Sequence, residues 1–157
     1  MSDVTLRPAR GDEADALSEL ALRSKAHWGY SDEFIEACRA ELAVDPQDIA
    51  SGRVVVAVVD GGLAGFSTLV GEPPVAEVEA LFVEPEHIGV GAGVGTTLFE
   101  ALCDAARGAG FTRLLIEADP NAAGFYERQG AVKVGDRPSG SIPGRRLPLL
   151  ELDIATR

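Results

Sequence analysis

Residues 88–95 run Ile88-Gly89-Val90-Gly91-Ala92-Gly93-Val94-Gly95, between a segment that reads as a strand and one that reads as a helix. Side chains this small let a ligand come close to the backbone. A helix start adds N–H groups without intrahelical acceptors at the positive end of its dipole. Such a turn supports anion binding, and a pyrophosphate fits it without a lysine or arginine. Spacing excludes two other phosphate motifs: no three of these glycines satisfy GxGxxG, and no Gly-Lys-Ser/Thr follows. Glu77 and Glu79 precede the turn on the entering strand, where the two-residue period puts both on one face; either is a candidate proton acceptor. Cys38 and Cys103 form no CxxC, so they read as buried small apolar residues, and neither a metal cluster nor a disulfide framework is expected.

Periodicity outlines the elements that must hold these groups. Val4–Arg7 reads as a first strand, and Asp12 as the cap of a helix whose Ala14, Leu17, Leu20, Ala21 and Ser24 share a face. Ser31 caps a second helix, with Asp32 and Glu33 in its first turn and Phe34, Ile35, Cys38 and Leu42 on one side. The connection between them, Lys25 to Tyr30, carries His27, Trp28 and Tyr30. Val54–Val59 and Leu63–Val70 form a hairpin about Asp60-Gly61-Gly62, Pro73 and Pro74 interrupt the chain, and Val75–Val83 is the strand entering the glycine turn. A helix spans Thr97–Ala109, with a Thr97/Glu100 capping box, a core stripe of Leu98, Phe99, Leu102 and Ala106, and Gly110 at its end. Strand Leu114–Ile116, helix Asn121–Gln129 closed by Gly130, strand Ala131–Val134, a long loop Gly135–Arg146 and strand Leu147–Leu152 complete the order.

On these residues the chain resembles the GCN5-related N-acetyltransferases. The stretch Glu77–Gly110 is similar to the family's strand, Q/R-x-x-G-x-G/A loop and helix, above all over Gly93-Val94-Gly95-Thr96-Thr97-Leu98-Phe99-Glu100-Ala101-Leu102. Asn121-Ala122-Ala123-Gly124-Phe125-Tyr126-Glu127-Arg128-Gln129-Gly130 is similar to the family's Asn…Phe-Tyr-Glu-x-x-Gly signature. One departure is a loop a couple of residues longer than usual between Pro85 and Leu98, with Ile88 or Val90 where the family has Gln or Arg. The resemblance implies a single α/β domain over residues 1–157. It would hold a mixed, mostly antiparallel twisted sheet of about six or seven strands with helices on both faces. The sheet would be splayed where Glu77–Val83 meets Leu114–Ala118, with acetyl coenzyme A in the splay.

The same resemblance implies residue roles. The coenzyme would be bound by Leu81, Phe82 and Val83, by the turn Gly89, Val90, Gly91, Ala92, Gly93, Val94, Gly95 and Thr96, and by Asn121, Phe125 and Tyr126. The Phe82 and Val83 N–H groups would polarise the thioester carbonyl, Asn121 would hold the pantetheine arm, and Tyr126 would protonate the departing thiolate. An amine with a pKa of about 10.4 must lose a proton before it attacks. Glu77 stands where some family members carry a glutamate base and is preferred over Glu79, with a water chain as the alternative. The acceptor would meet His27, Trp28, Tyr30 and Glu79; Trp28 and Tyr30 read either as an aromatic wall for a cation or as core anchors. His87 reads as a loop residue, and Arg145 and Arg146 as solvated loop cations before partners for an acidic acceptor group or the coenzyme 3′-phosphate.

At 157 residues the chain has the size of one domain and can bury roughly 70% of its unfolded surface. Its 46% hydrophobic and 25% charged residues exclude a disordered or fibrous class. A net charge of -11 argues against nucleic acid as a partner. No apolar run approaches the roughly 18 residues of a membrane span, and Met1-Ser2-Asp3 lacks signal-peptide features, so a cytoplasmic protein without a membrane partner is expected. The expected function is direct transfer of acetyl from acetyl coenzyme A to a primary amine of a small molecule or protein, without a metal; a homodimer is compatible. One rival is a non-catalytic acyl-coenzyme sensor. Another is a Rossmann-like enzyme using Glu117 on a ribose, which the missing GxGxxG and the hairpin oppose.

Overall fold

The computed structural model describes residues 3–89 and 93–156. Among these, Thr5–Pro8 (β1), Val54–Val59 (β2), Gly62–Glu72 (β3), Val75–Val83 (β4), Arg113–Glu117 (β5), Val132–Pro138 (β6) and Arg146–Asp153 (β7) form a seven-stranded sheet ordered β1-β2-β3-β4-β5-β7-β6. β1–β2, β2–β3, β5–β7 and β6–β7 pair antiparallel, and β4–β5 parallel. The helices are Ala14–Ala26 (α1), Asp32–Leu42 (α2), Pro46–Ala50 (α3), Val94–Gly108 (α4) and Ala123–Arg128 (α5). The expected mixed, mostly antiparallel α/β architecture is therefore the one that forms. The chain divides into two compact units, one running up to Thr68 with Ala80–Leu102, the other Leu69–Glu79 with everything from Cys103 onward.

In the first unit, alternation along the strands feeds two apolar clusters. Ala80 and Phe82 of β4 join Val54, Val56 and Phe66 against Leu17, Leu20 and Ala21 of α1 and Ile49 of α3. Leu81 and Val83 join Ala57, Val59 and Ala64 against Val94 and Leu98 of α4. Helices thus cover both faces here, because period-two strands present apolar side chains on each side. At the β2–β3 turn, Asp60 and Gly61 both take positive φ, 51° and 81°, the twist that suits a tight hairpin. Ser31 caps α2 as expected, its hydroxyl accepting the Phe34 N–H at 3.1 Å.

Two caps differ from expectation. The entry to α1 is held by Glu13, whose Oε1 accepts the Arg10 N–H at 2.7 Å and whose two oxygens take Arg7 at 2.9 and 2.8 Å; Asp12 lies inside a 3-10 turn, Gly11–Glu13. The bidentate pair with Arg7 selects the second acidic residue over the first. Helix α4 begins at Val94, ahead of Thr97, because Gly93 at φ 65° turns the chain and its carbonyl accepts the Thr97 N–H at 2.9 Å. Thr97 is accordingly inside the first turn and caps nothing. Helix α3 carries a signal left unread above: Asp45 accepts the Gln47 N–H at 2.8 Å, with Pro46 at the first helical position.

In the second unit β4 and β5 stay in register from Val75↔Arg113 to Val78↔Ile116, where the pairing ends although β4 continues to Val83. The far end of α4 closes as expected: Gly110 takes φ 94°, and the Phe111 N–H reaches back to the Ala106 carbonyl at 2.9 Å. Residues 135–138, expected in a loop, extend β6 to Pro138 opposite Arg146. A register shift between Lys133 and Gly135 absorbs the glycine, so ladder hydrogen bonds outweigh the Gly/Pro-rich composition.

Candidate active site

The end of β4 and the start of α4 lie in the first unit. Glu84, just after β4, sends its N–H to the Ala64 carbonyl at 2.8 Å. The Val83 N–H, expected with that of Phe82 at the thioester carbonyl, instead reaches the hydroxyl of Ser24 on α1 at 3.4 Å. Gly65 of β3 lies so close that an added Cβ would sit 2.8 Å from the Phe82 carbonyl oxygen. Arg23 grips the Glu84 carboxylate through Nε and Nη2 at 3.0 and 2.6 Å. Beyond Glu84, Gly89 and Gly93 take φ of 71° and 65°, and α4 then presents the N–H groups of Val94, Gly95 and Thr96, which helix geometry leaves without intrahelical acceptors. That is the anion-favouring helix start read from the glycines. Val90, Gly91 and Ala92 lie outside the described residues.

The aromatic segment separates into two pairs. His27 and Trp28 meet edge to face at 4.9 Å, with Trp28 38% exposed. Tyr30 stacks on Phe34 at 4.2 Å, and Lys25 Nζ lies 5.3 Å from the Tyr30 ring centre. A cation of the chain itself therefore already stands over Tyr30, and His27 and Trp28 are both exposed. His87 belongs to a 3-10 turn, Pro85–His87, with Nε2 3.9 Å from Glu86.

The carboxylates and the phenol lie in the second unit. Glu77, beside Leu115 in the β4–β5 register, accepts Arg137 Nη1 on Oε1 at 3.1 Å, and the same nitrogen is 3.9 Å from Glu117 Oε2. One guanidinium thus faces two carboxylates. Glu79, two residues on, is exposed. Asp119 Oδ1 accepts both the backbone N–H and the side-chain amide of Asn121, at 2.8 and 3.0 Å, while Oδ2 lies 3.7 Å from Arg145 Nη2. Tyr126 of α5 is buried, its ring edge-on to Phe125 at 5.2 Å. Burial pushes its phenol up from the ordinary value, which makes it a weaker acid than an exposed tyrosine. Both cysteines are buried thiols. Among the described residues there is no grouping of three His, Cys, Asp or Glu able to hold a metal, and no helix long and apolar enough to cross a membrane.

The acetyltransferase (GNAT) family matches residues 16–131. The chain belongs to that family. A solved GCN5-related N-acetyltransferase from Rhodopseudomonas palustris is 30% identical to this GNAT chain, covering 98% of it and 97% of its own length, with a TM-score of 0.78. The PaiA N-acetyltransferase of Thermoplasma acidophilum, solved with coenzyme A, is 20% identical, covers 96% and 99%, and has a TM-score of 0.78. The ribosomal-protein-S18-alanine N-acetyltransferase of Escherichia coli is 19% identical, covers 96% and 94%, and scores 0.69. The last two likenesses are of fold. No curated protein matches the chain. N-acetyltransferase is the enzyme class of this GNAT chain. Its sequence left three neighbours of the GNAT motifs unread. Asp119 was signalled by the Asp119-Pro120-Asn121 turn composition, Ser24 by a hydroxyl on an apolar helix face, and Arg137 was hidden in a stretch whose composition reads as loop.

Proposed function

We propose that this chain binds acetyl coenzyme A and moves its acetyl group directly to a primary amine of a small molecule or protein. The observation that carries the reading is the start of α4 behind Gly93, whose backbone N–H groups would favour an anion in a chain of net charge -11. The turn from Gly89 to Thr96 would take the pyrophosphate, and Leu81, Phe82, Val83, Asn121 and Phe125 the rest of the coenzyme. That the Thermoplasma acidophilum protein of this fold holds coenzyme A supports the assignment.

In the reaction Glu77 takes a proton from the ammonium, the freed nitrogen attacks the thioester carbonyl, and the tetrahedral species collapses with cleavage of the C–S bond. Tyr126 gives its proton to the leaving sulfur, and the acylated nitrogen sheds its second proton to the resulting phenolate, which leaves a neutral amide, a free thiol and Tyr126 restored. Protonation of Glu77 at Oε1 would displace the Arg137 N–H from that oxygen. Glu79, His27, Trp28 and Tyr30 would meet the acceptor. Isothermal titration with acetyl coenzyme A and coenzyme A, followed by thiol release over polyamines, amino acids, aminoglycosides and peptide N-termini, tests this. Binding with release on one amine class is expected. Absence of binding at millimolar ligand would overturn the proposal, and binding without release on any amine would favour a sensor.

A further inference from the structure

Helix α1 carries two serines that are satisfied in different ways. Ser18 Oγ donates to the Ala14 carbonyl at 2.8 Å and accepts the Val44 N–H at 2.8 Å, so both capacities of the hydroxyl are used. Ser24 is only 6% exposed and accepts the Val83 N–H at 3.4 Å. Among the described residues no acceptor for its own O–H is present. A buried donor without an acceptor is costly and uncommon. The position compounds the anomaly: Val83 lies in the part of β4 beyond the register with β5, which ends at Val78, and its N–H is given to Ser24.

We propose that Ser24 is a binding residue of the acyl-coenzyme site, its O–H donating to a carbonyl oxygen of the bound acyl-pantetheine while Val83 N–H donates to Ser24 Oγ. The hydroxyl passes the donor capacity of the strand end onward, and hydrogen bonds in series strengthen one another. Aimed at the thioester oxygen, this donor would oppose the charge that develops there during attack; aimed at the nearer pantetheine amide, it would hold the arm. The chemistry is the same, a carbonyl acceptor, and the inference rests on the acetyl coenzyme A reading above.

Ser24→Ala removes the donor and adds no bulk, and Ser24→Thr keeps it. Titration of wild type and both variants with acetyl coenzyme A and with coenzyme A, beside thermal melts and turnover, tests the proposal. Loss of one uncharged hydrogen bond predicts a roughly three- to tenfold weaker interaction in Ser24→Ala, in a protein that still folds but melts somewhat lower because the Val83 N–H loses its acceptor, with Ser24→Thr close to wild type. Weakening confined to acetyl coenzyme A, with lower kcat, identifies the thioester oxygen; equal weakening of both ligands identifies the pantetheine amide. Unchanged affinities and turnover in a folded Ser24→Ala overturn the inference, and so does a Thr variant as impaired as Ala, which would assign the effect to packing. Wild type that binds neither ligand sinks the coenzyme reading itself, a separate result.

Discussion

Glu77 and Tyr126 are held in opposite ways, and their proposed roles need the difference. Glu77 is half-exposed, its carboxylate against Arg137, so it can exchange protons with an incoming ammonium. Tyr126 is buried, which raises its phenol above an ordinary value that already leaves it protonated at neutral pH. Tyr126→Phe should lower kcat by roughly 10²-fold while coenzyme affinity barely moves; unchanged turnover would remove it from the mechanism. Glu77→Gln should depress the rate most at low pH, where the smallest share of amine is already free. A deficit independent of pH would hand the proton to Glu79 or to water. The types and positions of these two residues were visible in the chain. Their environments were not: Arg137 reaches Glu77 from 60 residues away, through a strand whose composition reads as loop.

At the scale of elements, two contacts decide how the first unit is built. Glu13 ties β1 to the entry of α1, and its carboxyl is lowered from 4.5 to about 2, first by the Arg7 hydrogen bond, with burial opposing. A carboxyl lowered on folding contributes stability that is fully present above the unfolded value and lost as pH falls from there toward the folded one. Between about pH 4.5 and 2 the protein should therefore lose on the order of 2 kcal/mol from this group. Glu13→Gln should start less stable at neutral pH and lack that share of the acid loss, as read by urea denaturation across pH. Identical acid dependence in the two proteins would refute the assignment. The second contact is Gly65, where a Cβ would stand 2.8 Å from the Phe82 carbonyl and 3.1 Å from both Leu98 and Val94. Backbone cannot yield as a side-chain tip can, so Gly65→Ala should cost about 1–3 kcal/mol and weaken coenzyme binding, since the end of β4 and the start of α4 both take the strain. A melting temperature equal to wild type would count against it. Strand periodicity announced β2 and β4 to the residue, whereas nothing local announced that Gly65 must stay bare, because the clash is with a strand that follows it by 17 residues.

For the molecule as a whole, the net charge of -11 opposes an anionic coenzyme at long range, while the helix start attracts it only locally. Added salt screens the long-range repulsion. Association of coenzyme A, followed by stopped flow, should thus speed up as ionic strength rises toward physiological values; a slowing would mean that a local positive field outweighs the net charge. Sequence by itself determined the order of elements apart from α3, the glycine turn into α4, the family and the two proton-carrying candidates, since periodicity, glycine conformation and short motifs act over a few residues. Only the tertiary structure decided that α4 starts at Val94, that Glu13 and not Asp12 holds the entry to α1, and that residues 135–138 continue β6. It alone joined Ser24 to the Val83 amide across 59 residues. Such pairings depend on register and packing between distant segments, and competing local propensities cannot rank them until the chain has closed on itself.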